Sequence, residues 1–144
     1  MALRKPLVLV NGEIQQLQSG DSLGEVALMS LTNSDATPTA IGDVMYIFGA
    51  DSLKKAKADA SATADAFALA TTVIAAAGTG FVQLDGILSG LSGLTPGATY
   101  YLSATTAGSL TSTAPSAVGQ TVVRIGKALS ATELDINIQR PILL

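Results

Sequence analysis

The stretch ELDINIQ, residues 133–139, decides the fold class of this chain. Three aliphatic residues, Leu134, Ile136 and Ile138, alternate along it with charged and amide residues. Alternation with a period of two indicates a β-strand that has one face buried and the other exposed to water. The sequence therefore predicts a half-buried strand close to the end of the chain.

Similar short segments precede this strand and are separated by turn residues. GDVMYIFG (42–49) is a predicted strand between glycines, FVQLDGIL (81–88) alternates, and TYYLSA (99–104) is a further strand that turns back into LTST. Between them, Pro96 and Gly97 predict a type II turn, because glycine supplies the positive φ that this turn requires. Regular spacing of strands and turns predicts an all-β fold, a small sandwich or barrel-like domain.

Other segments are less decisive. In 56–70, alanine occupies every even position. The helix propensity of alanine favours a helix, whereas the period of two favours a strand or extended structure. We expect a strand or extended structure here. Residues 23–31 fit a strand or a short helix, and 32–38 fit a loop. Residues 40–49 and 117–126 share a pattern of two glycines that flank a strand; either the match is chance, or the two are related positions in a barrel-like sheet with each glycine at a tight corner.

Composition limits the size of the core and the classes of partner. The 144 residues are 48% hydrophobic, but 23 of them are alanine, so the chain packs a modest core and needs neighbouring subunits to bury the rest. We expect one domain over 23–144 and an N-terminal arm over 1–22. The net charge of −3 argues against nucleic acid as a partner, because such binding needs a basic face.

The sequence offers little for catalysis. Cysteine and histidine are absent, which removes the thiolate nucleophile and the commonest general base and metal ligand. SGLSG (89–93) lacks the spacing of a nucleophile elbow, and GTG (78–80) is too short for a phosphate loop. We predict no enzymatic activity, cofactor or metal. Residues 66–84 lack charge, but alanine and threonine dominate them and two glycines interrupt them, so we expect no membrane span. The apolar stretch PLVLV, residues 6–10, is too short for a signal peptide, so we expect none.

The first residues predict a β-hairpin. Asn11-Gly12 is the strongest short signal for a type I′ turn, and a two-residue loop pairs Val10 with Glu13 and Leu7 with Gln16. A lone two-stranded hairpin is marginal in water, so this one must lie against its own domain or another chain.

Two further segments leave alternatives open. Ile142, Leu143 and Leu144 pack either into the chain's own core or on a neighbouring subunit. The basic cluster KKAK (54–57) is either solvated or docks on an acidic partner surface, and the same alternatives hold for Arg4 and Lys5.

Two strings resemble a known family. RKPLVLVNGEIQQLQSGDSL, residues 4–23, is similar to the opening of tailed-bacteriophage fibre and virion structural proteins, and residues 90–115 and 118–144 are similar to the small β-rich domain that often closes them. The resemblance implies a virion component, made in the host cytoplasm and carried on the particle surface, that is trimeric and attached at one end. The chain has little between its arm and its terminal domain, which favours a capsid decoration, head-fibre or short-fibre protein.

The resemblance also implies partners and contact residues. The partner is the major capsid protein or a tail or baseplate protein, and a host surface receptor stays open. The residues expected to dock on the particle or exchange strands are Arg4, Lys5, Leu7, Val8, Leu9, Val10, Ile14 and Leu17. Subunit contacts are expected at Ile142, Leu143 and Leu144. The alternatives are a tail-fibre or baseplate protein and a module that binds cell-surface glycan or protein.

Overall fold

A computed structural model describes residues 27–144, together with the backbone pairing of residues 7–10 and 13–16. Regular secondary structure in these residues is all β, which confirms the predicted all-β class. The strands are β1 (Leu7–Val10), β2 (Glu13–Gln16), β3 (Leu28–Asn33), β4 (Val44–Gly49), β5 (Ser52–Lys55), β6 (Ala66–Ala70), β7 (Thr79–Gln83), β8 (Gly86–Leu88), β9 (Thr99–Leu102), β10 (Leu110–Thr111), β11 (Thr121–Val122), β12 (Arg124–Ala128), β13 (Leu134–Ile136) and β14 (Ile142–Leu143).

Five strands close into a small barrel in the order β3-β5-β4-β6-β7. β3 runs antiparallel to β7 and parallel to β5, while β4 and β5 form an antiparallel hairpin. Inward-pointing side chains fill the barrel, as expected when so few strands close. They are Leu31, Met45, Leu53, Ala68, Ile74 and Val82.

The second half of the chain forms an open five-stranded sheet in the order β10-β9-β12-β13-β8. The predicted strand in ELDINIQ is β13, in which Leu134 and Ile136 are buried and Asp135 is exposed. β13 pairs antiparallel with β12 and β8, so its apolar face is fixed by neighbours on both sides.

One hydrophobic core joins the barrel to the sheet. Val44 and Leu69 of the barrel pack in the same cluster as Leu102, Ile125 and Ile136 of the sheet. Small side chains let these layers approach closely, since six of the buried residues are alanines. The six are Ala56, Ala58, Ala64, Ala68, Ala70 and Ala128.

Two sequence-based predictions need correction. The alanine-rich tract 56–70 is not helical, but only its end, Ala66–Ala70, is a strand. Its middle folds into a tight loop, because Lys57 and Thr63 join through a backbone hydrogen bond of 3.0 Å and the Thr63 hydroxyl donates to the Lys57 carbonyl at 2.9 Å. Residues 81–88 are not one strand: β7 ends at Gln83 in the barrel, and β8 begins in the sheet at Gly86, whose φ is +87°.

Other predicted segments agree more closely with the structure. GDVMYIFG contains β4, and TYYLSA contains β9, which turns back into β10. Within 23–31, the described end is strand β3, which continues to Asn33 and so shortens the predicted loop 32–38.

The two glycine-flanked segments share their first turn but not the strand that follows it. Gly42 and Gly119 both have φ of +86°, and each sits third in a turn that is closed by a 3.1 Å backbone hydrogen bond. Each turn leads into a strand, but Gly42 precedes β4 of the barrel while Gly119 precedes β11, outside it. The tight corners are confirmed at Gly42 and Gly119, but Gly126 lies inside β12 and the shared barrel position is wrong.

β1 and β2 pair antiparallel with the predicted register, Leu7 opposite Gln16 and Val10 opposite Glu13. The turn predicted at Asn11 and Gly12, and the contacts predicted at Arg4, Lys5 and Leu17, lie outside the described residues.

Candidate assembly surfaces

The last residues form what we call the C-terminal ribbon, the strand pair β11–β14. Thr121 pairs with Leu143 and Val122 with Ile142. Two further backbone hydrogen bonds join Leu144 to Gly119 at 3.0 Å and to Gln120 at 2.9 Å. The Thr121 amide ties the ribbon to the body by donating to the Ala58 carbonyl at 2.9 Å.

The ribbon fixes the main chain but leaves its apolar side chains in water. Ile142 and Leu143 are each 63% exposed, Leu144 is also exposed, and the adjacent Val118 is 96% exposed. Of the two alternatives for this tail, burial in the chain's own core is therefore wrong, and a subunit contact stays a prediction. Contiguous exposed apolar side chains are typical of surfaces that another protein covers.

A second exposed region lies where the barrel is incompletely closed. β5 pairs with β3 only at Thr32 and Asn33, so in the described residues Leu28–Leu31 pair with β7 alone. Leu28 is 50% exposed, and Phe81 of β7, which pairs with Ser30, is 56% exposed. We call residues 28–31 the β3 edge.

The tip of the β4–β5 hairpin carries a third apolar group. Ile47 and Phe48 are exposed, and the Lys54 ammonium lies 3.7 Å from the centroid of the Phe48 ring. This cation–π contact covers one face of the ring with charge. The tip is therefore a smaller and more polar surface than the ribbon.

The predicted basic cluster 54–57 is largely neutralised within the chain. Lys54 stacks on Phe48, Lys55 lies 3.5 Å from the Asp43 carboxylate, and Lys57 lies 2.8 Å from that of Asp59. The hydrogen bond from Lys57 lowers the pKa of the Asp59 carboxyl below its ordinary value. These contacts make the cluster a poor candidate for docking on an acidic partner.

A cleft of about 330 Å³ lies between the barrel and the sheet. Gly90, Leu91 and Gly93 of the SGLSG segment line it, together with Asp43 and Tyr100. Two of its polar side chains, those of Tyr100 and Asp43, have partners within the chain. The Tyr100 hydroxyl accepts from the Thr95 amide at 3.0 Å, and Asp43 accepts from the Ala40 amide at 2.8 Å. SGLSG, including Ser92, therefore forms part of the cleft wall.

The predicted turn at Pro96 and Gly97 is confirmed. The Ala98 amide donates to the Thr95 carbonyl at 3.0 Å, and the φ of Gly97 is +81°, as a type II turn requires. Among the predicted docking residues, Leu7, Val8, Leu9 and Val10 lie in β1 and Ile14 in β2. Their positions in the hairpin are known, and their docking role stays a prediction.

The described part of the chain offers neither a cluster of metal ligands nor a membrane-spanning helix. Those residues hold no group of three or more acidic side chains placed to bind a metal ion. They also contain no helix with the length and apolar character needed to cross a bilayer.

The chain matches no protein-family model, no curated protein and no solved structure.

Sequence reasoning missed the β3 edge and Val118. The edge depends on how far β5 reaches along β3, which is a tertiary property with no local signal. The exposure of Val118 did have a sequence signal. Val118 is the second residue of a turn whose third residue is Gly119, and its side chain points into water.

Proposed function

We propose that this chain is a non-enzymatic bacteriophage virion structural protein, a capsid decoration, head-fibre or short-fibre protein. It docks on the particle through its N-terminal arm and forms a homo-oligomer, expected to be a trimer, through its β-domain. The observation that carries the proposal is the C-terminal ribbon, which holds Ile142 and Leu143 in a fixed main-chain geometry with their side chains in water. The resemblance of residues 4–23 to phage virion proteins supports the same reading.

The alternative of a glycan-binding module has less support. Such modules present exposed aromatic faces to sugar rings, but Tyr100 is buried and Tyr46 and Tyr101 are half-buried. Phe48 and Phe81 are the exposed aromatics among the described residues, and Lys54 covers one face of Phe48. A glycan array is expected to show no binding.

Deletion of residues 1–18 tests the docking role of the arm. We expect the truncated chain to keep the circular dichroism of a β-protein and to be lost from purified particles, since the hairpin supplies the attachment. The full-length chain, expressed to the same level, is the control. Normal occupancy of the truncated chain on particles would contradict the proposal. Particles separated into heads and tails then distinguish a capsid location from a tail or baseplate location.

A further inference from the structure

The β3 edge exposes backbone hydrogen-bonding groups. Along β3, the Thr32 amide donates towards the β5 side, to Asp51 at 2.9 Å, and the Asn33 amide donates towards β7, to Gly78 at 2.8 Å. Backbone groups of a strand alternate between its two edges. Leu28 and Ser30 are in phase with Thr32, so their N–H and C=O groups point to the side where β5 has not yet begun.

Such an edge is a template for another strand. Native proteins protect edges with charges, proline or a bulge, because an open apolar edge pairs with other chains. The β3 edge reads Leu-Met-Ser-Leu and has none of these protections, and Leu28 and Met29 are both exposed. We therefore expect a strand to cover it in the intact protein.

We propose that the occupant is the chain's own β1–β2 hairpin, with β2 added antiparallel to β3. This inference deepens the proposed function, because it states where the docking arm is held. Consecutive strands of a chain are neighbours in about two-thirds of cases. Ten residues, 17–26, separate β2 from Ala27, a connection within the usual upper limit of about 12–15 residues for loops in compact domains.

The register of the hairpin predicts the register of this new pair. A two-residue loop is closed by a hydrogen bond between its flanking residues, here Val10 and Glu13, so Glu13 and Gln15 bond towards β1. Ile14 and Gln16 then bond away from β1. Pairing Ile14 with Ser30 and Gln16 with Leu28 joins the outward-bonding groups of both strands, and it places Gln15 opposite Met29.

The arrangement gives the arm a defined role. The barrel sheet would continue β7-β3-β2-β1, so that β1 replaces β3 as the open edge. The proposed docking strand is then β1, presented on a supported sheet instead of an isolated hairpin. A strand of the particle would pair with it by β-augmentation.

A disulfide tests this pairing in the full-length chain, which has no cysteine of its own. Gln15→Cys with Met29→Cys places the two residues in a non-hydrogen-bonded pair, with Cα atoms about 4.5 Å apart, within disulfide range. Glu13→Cys with Met29→Cys is the matched control, since the proposed register separates those Cα atoms by more than about 7 Å. Met29 is partly exposed, so its replacement spares the barrel core.

We expect non-reducing mass spectrometry to find an intrachain disulfide in the first variant and free thiols in the control. Mixing the two single-cysteine chains should give no crosslink. A crosslink between separate chains would overturn the assignment to the chain's own hairpin, and free thiols in both variants would overturn the pairing itself.

Amide hydrogen exchange on the unmodified chain gives a second test. The Leu28 and Ser30 amides should be protected if β2 covers them, and Ile14→Pro should remove that protection while the Leu31 amide, which faces β7, keeps its own. Rapid exchange at Leu28 and Ser30 in the unmodified chain would overturn the inference. These results concern the free protein, so they are independent of whether the arm delivers the chain to particles.

Discussion

Gly126 lies where the backbones of β12 and β13 approach closely. A Cβ added there would meet the Asp135 carbonyl of β13, whereas a Cβ added at Gly97 would meet no atom within 4 Å and would suffer only from its φ of +81°. We expect Gly126→Ala to destabilise the fold by about 3 kcal/mol, at the upper end of overpacking costs. Gly97→Ala should cost about 1 kcal/mol. Urea unfolding of both variants measures the difference, and equal losses would contradict the close approach.

The Lys57–Asp59 pair predicts a pH effect with a defined sign. The hydrogen bond from Lys57 lowers the pKa of the folded Asp59 carboxyl below 3.8, so the folded state favours the charged form. The resulting stabilisation is present above the unfolded pKa and is lost as the pH falls through the lower folded value. The pair is solvent-exposed, so its effect on unfolding is small.

Carboxyl NMR titration measures this shift directly. We expect the Asp59 midpoint to lie below 3.8 and to return to its ordinary value in Lys57→Gln. An Asp59 midpoint that does not respond to Lys57→Gln would contradict the contact.

At the scale of the elements, the Asn33 side chain holds together the segments at one end of the barrel. Its side chain is 1% exposed and joins three segments, donating to Thr37 at 3.0 Å and to Ile74 at 3.1 Å and accepting from Asp35 at 2.9 Å. Removing it breaks all three hydrogen bonds, each of which contributes about 0.5–1.5 kcal/mol to stability.

We expect Asn33→Ala to lower the free energy of unfolding by about 3 kcal/mol, since three hydrogen bonds of about 1 kcal/mol each are lost. Asn137, which is exposed, gives the matched control, and its alanine variant should change stability by less than about 0.5 kcal/mol. Chemical denaturation of the two variants checks this. Similar midpoints would show that Asn33 does not close the barrel.

The elements differ in how well the sequence predicts them. β13 and β4 were predictable because their alternation or flanking glycines are local signals. The tract 56–70 was only partly predictable, since the loop at 57–63 depends on one ion pair and two hydrogen bonds of Thr63 that compete with a continuous strand. The division of 81–88 between barrel and sheet was not predictable from periodicity, because Asp85-Gly86 redirects the chain without breaking the alternation.

At the scale of the whole molecule, the exposed side chains of the C-terminal ribbon predict self-association. We expect the intact chain to sediment as a trimer and Leu143→Asp to sediment as a monomer, because a charge at a buried subunit contact is costly to desolvate. Leu129→Asp is the matched control, since Leu129 is about half exposed but lies outside the ribbon. Analytical ultracentrifugation measures both. An unchanged trimer in Leu143→Asp would exclude the ribbon as the contact.

The sequence indicated one assembly surface, the C-terminal ribbon, but not another, the β3 edge. Ile142, Leu143 and Leu144 stood out as aliphatic residues after a polar strand, but the sequence left open whether they pack into the chain's own core or on a neighbouring subunit, and their exposure excludes the first alternative. The β3 edge could not be found this way, because it arises from the relative lengths of β3 and β5 and from the single parallel pair that closes the barrel.

The buried alanines have a thermal consequence. Heat capacity rises on unfolding mainly because apolar surface becomes hydrated, by about 12–15 cal/mol/K per residue in ordinary domains. A core built partly from alanine methyl groups exposes less apolar surface to water when it unfolds. The heat-capacity change of unfolding per residue should therefore lie below that range for this chain. Its stability curve would then be broad and shallow, with cold and heat weakening the fold only gradually.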